Sequence, residues 1–103
     1  MTAYWFTEGG ASPLLYMDKL GSRMKLWHIN DRGTRVAGKT FTPILKSDSM
    51  ELGYGNMPLD SLYELAKKYG TETVILESHK NWIDKNPLKS IELSSSWLNE
   101  RIK

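Results

Sequence analysis

The sequence predicts an α/β fold in which parallel strands alternate with helices, in the order strand, helix, strand, long loop, helix, strand, helix. Three observations carry that expectation. Short aromatic or β-branched runs alternate with amphipathic stretches, two of those stretches open on Ser-Pro or Asn-Pro, and glycines close two of them. Strands separated by helices pair in parallel through right-handed crossovers.

Residues Ala3 to Phe6 are aromatic and β-prone and read as the first strand, broken by Gly9 and Gly10. Ser12-Pro13 starts a helix: serine caps free amides, and proline suits the first turn because it has no amide to lose. Leu14, Leu15, Met17 and Leu20 give that helix an apolar face, and Gly21 ends it. In Met24 to Asn30 the apolar residues Met24, Leu26, Trp27 and Ile29 are nearly continuous, as in a strand covered on both faces. Gly33 to Met50 has no clear period and reads as a long loop, a feature that is usually functional in a small domain. After Pro58, the residues Leu59, Leu62, Leu65 and Ala66 share a helix face, with Gly70 as the stop. Thr73 to Leu76 reads as a buried strand ending at Glu77. Asn86-Pro87 opens the last helix, in which Leu88, Ile91, Trp97, Leu98 and Ile102 recur at roughly helical spacing.

Composition narrows the function classes. A chain of 103 residues suits a single domain, 1–103, with one core. Its formal charge of +2 is small and dispersed, which argues against a nucleic-acid partner. There is no cysteine, so disulfides and thiolate ligands are excluded. Met-Thr-Ala-Tyr-Trp has no basic region followed by an apolar one, and no long apolar run suggests a membrane span. The expected setting is a soluble, cytoplasmic protein.

In parallel α/β folds, chemistry concentrates at the C-terminal ends of strands. Here those ends are Thr7 and Glu8, His28 to Asp31, and Glu77 to His79. An open sheet of three parallel strands leaves two edges unpaired. The chain is therefore expected to pair with a copy of itself or with another chain.

Several segments, in collinear order, resemble one family. Arg23-Met24-Lys25-Leu26-Trp27-His28-Ile29-Asn30-Asp31 resembles the seventh strand of xylose-isomerase-like TIM-barrel sugar-phosphate isomerases and epimerases. Glu51-Leu52-Gly53-Tyr54-Gly55-Asn56-Met57 is similar to the family's Leu-Gly-x-Gly turn, and Val74-Ile75-Leu76-Glu77 to its eighth strand. Pro87-Leu88-Lys89-Ser90 with Ser94 to Leu98 resembles the closing helix, and Tyr4-Trp5, Gly9-Gly10 and Pro13 the end of strand six and its helix. The resemblance implies a partial (β/α) barrel, its last three strand–helix units, completed by self-association or by another chain. It also implies one divalent metal (Mn, Mg, Co or Zn), held by carboxylates and a histidine, and proton transfer beside the carbonyl of a sugar or sugar phosphate. By position His28 would be a metal ligand, and Glu77 a ligand and the catalytic base. Two departures weaken the implied site. The family's strand-six aspartate falls on Thr2, and a glutamate from an earlier strand has no counterpart, so metal binding would be weak.

Each residue also has a plainer reading. His28 in an apolar strand could be a packed core residue, and Glu77 could form a salt bridge to Lys80 or to a loop arginine. Asp31 could orient a substrate hydroxyl or cap the loop beginning there. Arg32, Arg35, Lys39 and Lys46 make the loop basic enough to meet a phosphate, or are ordinary solvated charges. Trp5 could line a pocket or the core. Gly53 and Gly55 lack the strand–turn–helix setting of a dinucleotide site and read as a turn. His79 and Trp82 follow Glu77, where a tryptophan could stack on a sugar or simply pack.

Two functional readings result. One is a metal-dependent sugar or sugar-phosphate isomerase or epimerase, or its C-terminal portion, needing a chain that carries the missing strands. The other is a non-catalytic truncated barrel fragment stabilised as a homo-oligomer. A third, ranked last, follows the likeness of His-Ile-Asn-Asp to the endonuclease branch of the same superfamily, which needs more histidines than His28 and His79 supply.

Overall fold

The computed structural model describes residues 1–34, 48–78 and 81–102. The protein is mixed α/β and contains the expected parallel strand pair. It divides into two compact units, one from Met1–Asn30 and Pro58–Glu77, the other from Asp31–Met57 and Ser78–Lys103. No helix among the described residues is long and apolar enough to cross a membrane.

In the first unit, strands β1 (Leu26–Ile29) and β4 (Thr73–Leu76) pair in parallel, from Leu26 opposite Thr73 to Ile29 opposite Leu76. The Lys25 and Ile29 carbonyls accept from Thr73 and Glu77 amides, at 3.1 and 2.9 Å. On the other edge of β1, the N-terminal amino group donates to the Leu26 carbonyl at 2.9 Å, and the His28 amide donates to the Met1 carbonyl at 2.8 Å. Thr2 makes a single parallel bridge to His28. The expected strand over Ala3–Phe6 is instead a short helix, α1 (Ala3–Glu8). The reason is the ladder: with Thr2 opposite His28 and β1 ending at Ile29, a strand running on past Ala3 would have no partner in β1 for its amides and carbonyls. A helix satisfies them internally, and β-propensity yields to that context.

Helix α2 (Pro13–Leu20) begins as the sequence indicates, with the Ser12 hydroxyl accepting from the Leu15 amide at 3.3 Å. Phe6 of α1 stacks on Tyr16 of α2 with ring centroids 4.9 Å apart. Of the expected apolar face, Met17 is fully buried and Leu14 and Leu20 half-buried, whereas Leu15 is exposed. Helix α3 (Leu59–Lys68) buries Leu59, Leu62 and Ala66. It closes where the sequence places Gly70, at a positive φ of 72°. The Thr71 amide reaches back to the Ala66 carbonyl and the Gly70 amide to that of Lys67, a Schellman closure. Tyr4, Met17, Met24, Trp27, Ile29, Leu59 and Leu62 form the core of this unit.

The sheet is not covered on both faces. Trp27 and Ile29 are fully buried on one face, with Val74 and Leu76 beside them half-buried. On the other face Leu26 and Ile75 are 38% and 41% exposed, and His28 shares that face.

The second unit holds an antiparallel pair that the sequence does not signal. Strands β2 (Asp31–Gly33) and β3 (Asp48–Met50) run from Asp31 opposite Met50 to Gly33 opposite Asp48, at the two ends of the stretch read as a loop. Helix α4 (Pro87–Arg101) is capped by the Asn86 side chain, which accepts from the Lys89 amide. It buries Ser90, Ser94 and Trp97. Ser94 Oγ accepts from the Leu52 amide at 3.1 Å and Ser90 Oγ from the Ile83 amide at 2.9 Å. The apolar face expected of this helix is thus only partly its packing face: Trp97 is buried, while Leu88, Ile91 and Ile102 are exposed.

One interaction of the first unit is testable by pH. The Tyr69 hydroxyl donates to Asp18 Oδ1 at 2.6 Å, and this bond to a carboxylate raises the phenol above its ordinary 10.0. A raised folded-state value means stabilisation that is complete below pH 10 and lost as pH climbs through the raised value. The stability difference between the wild type and Tyr69→Phe, followed by urea unfolding, should be constant to that point and shrink above it.

Candidate functional site

Two of the sequence-predicted residues meet within the first unit. His28 lies on β1 and Glu77 follows the last residue of β4, so the ladder sets them side by side at the strand C-terminal ends. His28 Nδ1 is 3.3 Å from Glu77 Oε2. The side chains are 38% and 28% exposed, open enough to be reached by solute.

That geometry allows two arrangements. In one, Glu77 accepts a hydrogen bond from Nδ1, which fixes the imidazole and leaves Nε2 to face a ligand. In the other, both atoms bind one cation. Donors about 2.0–2.1 Å from a tetrahedral ion lie ~3.3 Å apart, so the observed spacing fits two ligands of one metal. These are the two donors in place among the described residues. Among the described residues, no group of three or more histidine, aspartate or glutamate side chains could hold a metal ion. Thr2 meets His28 through a backbone bridge.

The other predicted residues are elsewhere. Trp5 lies on α1, 60% exposed, with its ring edge-on to Tyr4 at 5.0 Å between centroids. Arg35, Lys39, Lys46, His79 and Lys80 lie outside the described residues. Arg32 is half-buried on β2, where its carbonyl accepts from the Asn56 amide at 2.7 Å. Trp82 is half-buried just before α4.

Asp31, at the start of β2, is almost fully buried, and its carboxylate accepts four backbone amides. Arg32 and Met57 donate to Oδ1 at 2.8 and 3.0 Å, and Gly53 and Gly55 both donate to Oδ2 at 3.0 Å. Its oxygens are thus taken up by the Arg32 amide and by the turn 53–57, a stretch beyond the loop that the sequence suggests it could cap. The two glycines follow from it. At Gly55 a Cβ would overlap the Arg32 carbonyl and the Asp31 carboxylate, and at Gly53, with φ at 87°, it would meet the Trp97 ring at 2.7 Å. Glu51, quoted in the sequence only as part of the turn motif, is also almost fully buried. Its residue type and position carried no sign of that burial.

A groove lined by Leu14, Asp60, Ser61, Glu64, Leu65 and Lys68 is also present in the first unit but includes neither His28 nor Glu77. No family model matches the chain, and no curated protein matches it significantly.

Hydrogen bonds to a charged acceptor contribute about 1.5–3 kcal/mol each, and an amide left unsatisfied in the interior costs a similar amount. Asp31→Ala should therefore lower unfolding free energy by at least ~3 kcal/mol, a large share of the ~5–15 kcal/mol of an ordinary domain. Gly55→Ala should also destabilise, and the double variant should lose less than the sum because both changes break one turn. Urea denaturation of the three variants measures this.

Proposed function

We propose that this chain is the C-terminal portion of a metal-dependent sugar or sugar-phosphate isomerase or epimerase, its last three strand–helix units arranged as in a TIM barrel. One observation carries the reading: Met1–Thr2, β1 and β4 lie side by side in sequence order, all parallel, with His28 and Glu77 adjacent at the strand ends. Consecutive barrel strands are arranged this way, and strand C-terminal ends are where such barrels do chemistry. The sheet face exposing Leu26, His28 and Ile75 is the face a closed barrel would turn inward.

His28 and Glu77 would hold the cation, which when bound would polarise the sugar carbonyl. Glu77 Oε2 is the oxygen at His28; as the one carboxylate beside that histidine among the described residues, Glu77 would also take the proton next to the carbonyl. His28 Nδ1 orients that carboxylate when no ion lies between them. Remaining ligands, and the strands that would cover the open face, would come from outside residues 1–103.

A second reading has its own support. Two donors and a threonine in place of an aspartate suit a non-catalytic barrel remnant equally.

Thermal unfolding with manganese, cobalt, magnesium or zinc separates the two. For the enzyme portion, an ion at about 100 times its Kd should add ~2.7 kcal/mol of stability to the wild type and nothing to His28→Ala or Glu77→Gln. If none of the four ions shifts the transition, the remnant reading stands. Under the enzyme reading, aldose–ketose interconversion is expected only once the earlier strands are supplied; under the remnant reading it is not expected at all.

A further inference from the structure

Helix α4 carries two different stripes. Ser90, Ser94 and Trp97 are buried in the second unit, with Ser90 and Ser94 bonding to loop amides. About a third of a turn around the helix lie Leu88, Ile91, Ser95, Leu98 and Ile102, spaced three, four, three and four residues apart. Of these Leu88, Ile91 and Ile102 are 71%, 45% and 61% exposed, and Leu98 and Ser95 are half-buried. Isolated exposed aliphatic residues need no explanation, but Leu88 and Ile91 on α4 and Ile102 at its C-cap share one stripe, with half-buried Leu98 between them.

We propose that this stripe is a self-association surface, on which α4 of one copy packs antiparallel against α4 of a second copy across a two-fold axis at Ser95. The inference rests on α4 alone and not on the functional reading above. Three features select this occupant. A seam repeating every 3.5 residues is matched by another helix, not by a strand or a flat surface. The stripe is also self-complementary about its middle: Leu88 and Ile102 stand seven residues to either side of Ser95, with Ile91 and Leu98 nearer in. A two-fold axis there sets each Leu88 against the partner's Ile102, and the small Ser95 lets the helices approach closely at the crossing. Finally, the exposed flank is chemically matched in this orientation. Glu92 of one copy lies beside Asn99 of the other, an acceptor against a donor, and among the described residues of α4 no like charges oppose each other along that flank. Antiparallel packing also opposes the two helix dipoles.

Three exposed aliphatic residues make a small surface beside the ~800 Å² that each partner gives to a stable interface. The dimer is accordingly weak and concentration-dependent.

Sedimentation equilibrium on the full chain from low micromolar to near millimolar should show a monomer–dimer equilibrium. The double variant Leu88→Glu with Ile102→Glu, at positions too exposed to matter for folding, should remain monomeric throughout. Ser95→Leu, filling the centre of the seam, should strengthen association at least about tenfold. Because the chain has no cysteine, orientation can be read by cross-linking. A mixture of Leu88→Cys and Ile102→Cys chains should form the mixed disulfide, and Leu88→Cys alone should not cross-link. A strictly monomeric wild type, or a dimer indifferent to the glutamate variants, overturns the proposal. Ready cross-linking of Leu88→Cys to itself overturns the antiparallel arrangement.

Discussion

The register of the β1–β4 ladder decides which side chains of the first unit are structural and which are available for chemistry. With Leu26 opposite Thr73 and Ile29 opposite Leu76, Trp27 and Ile29 turn into the core while His28 turns out beside Glu77. A slip of one residue would expose the tryptophan and bury the histidine, because side chains alternate with a period of two. The full burial of Trp27 is thus what holds His28 on the open face. The N-terminus reinforces the same register from the other edge, through the bonds between Met1 and the backbone of Leu26 and His28.

The second unit solves a different problem. Its buried side chains are largely polar or small, and its loops are held by side chains that accept backbone amides: Asp31 for the turn 53–57, Ser94 for Leu52, Ser90 for Ile83. Buried polar groups are tolerable when satisfied, and each of these bonds also fixes a loop in one conformation. The same economy explains the glycines of the turn. Residue 55 must come so close to the Arg32 carbonyl and the Asp31 carboxylate that there is no space for a side chain.

Each unit also leaves an apolar surface open, among them the outer face of the sheet around Leu26 and Ile75 in the first and the Leu88–Ile102 stripe in the second. The two differ in what could cover them. A sheet face beside an unpaired strand edge is completed by more strands, whereas a row with a 3.5-residue period is completed by a helix. The first bears on the proposed catalytic reading, and the second is independent of it.

Local chemistry made much of this fold legible in the sequence. Ser12-Pro13 and Asn86-Pro87 start helices, Gly70 stops one, and Thr73–Leu76 is a strand, because caps, proline geometry and positive φ act through near neighbours. His28 and Glu77 were legible as strand-end residues for the same reason. What the sequence could not decide was partnership. Ala3–Phe6 has the composition of a strand, but only the length of β1 shows that its amides would find no ladder. Leu88, Ile91 and Trp97 share a helical spacing, but only the packed helix shows that serines and Trp97 face inward while the aliphatic row faces out. Asp31 reads as substrate-facing or loop-capping until the amides of Gly53, Gly55 and Met57, more than twenty residues away, are brought to it. Local signals set where elements begin and end, and contacts between distant residues, invisible along the chain, decide which face of each element is buried.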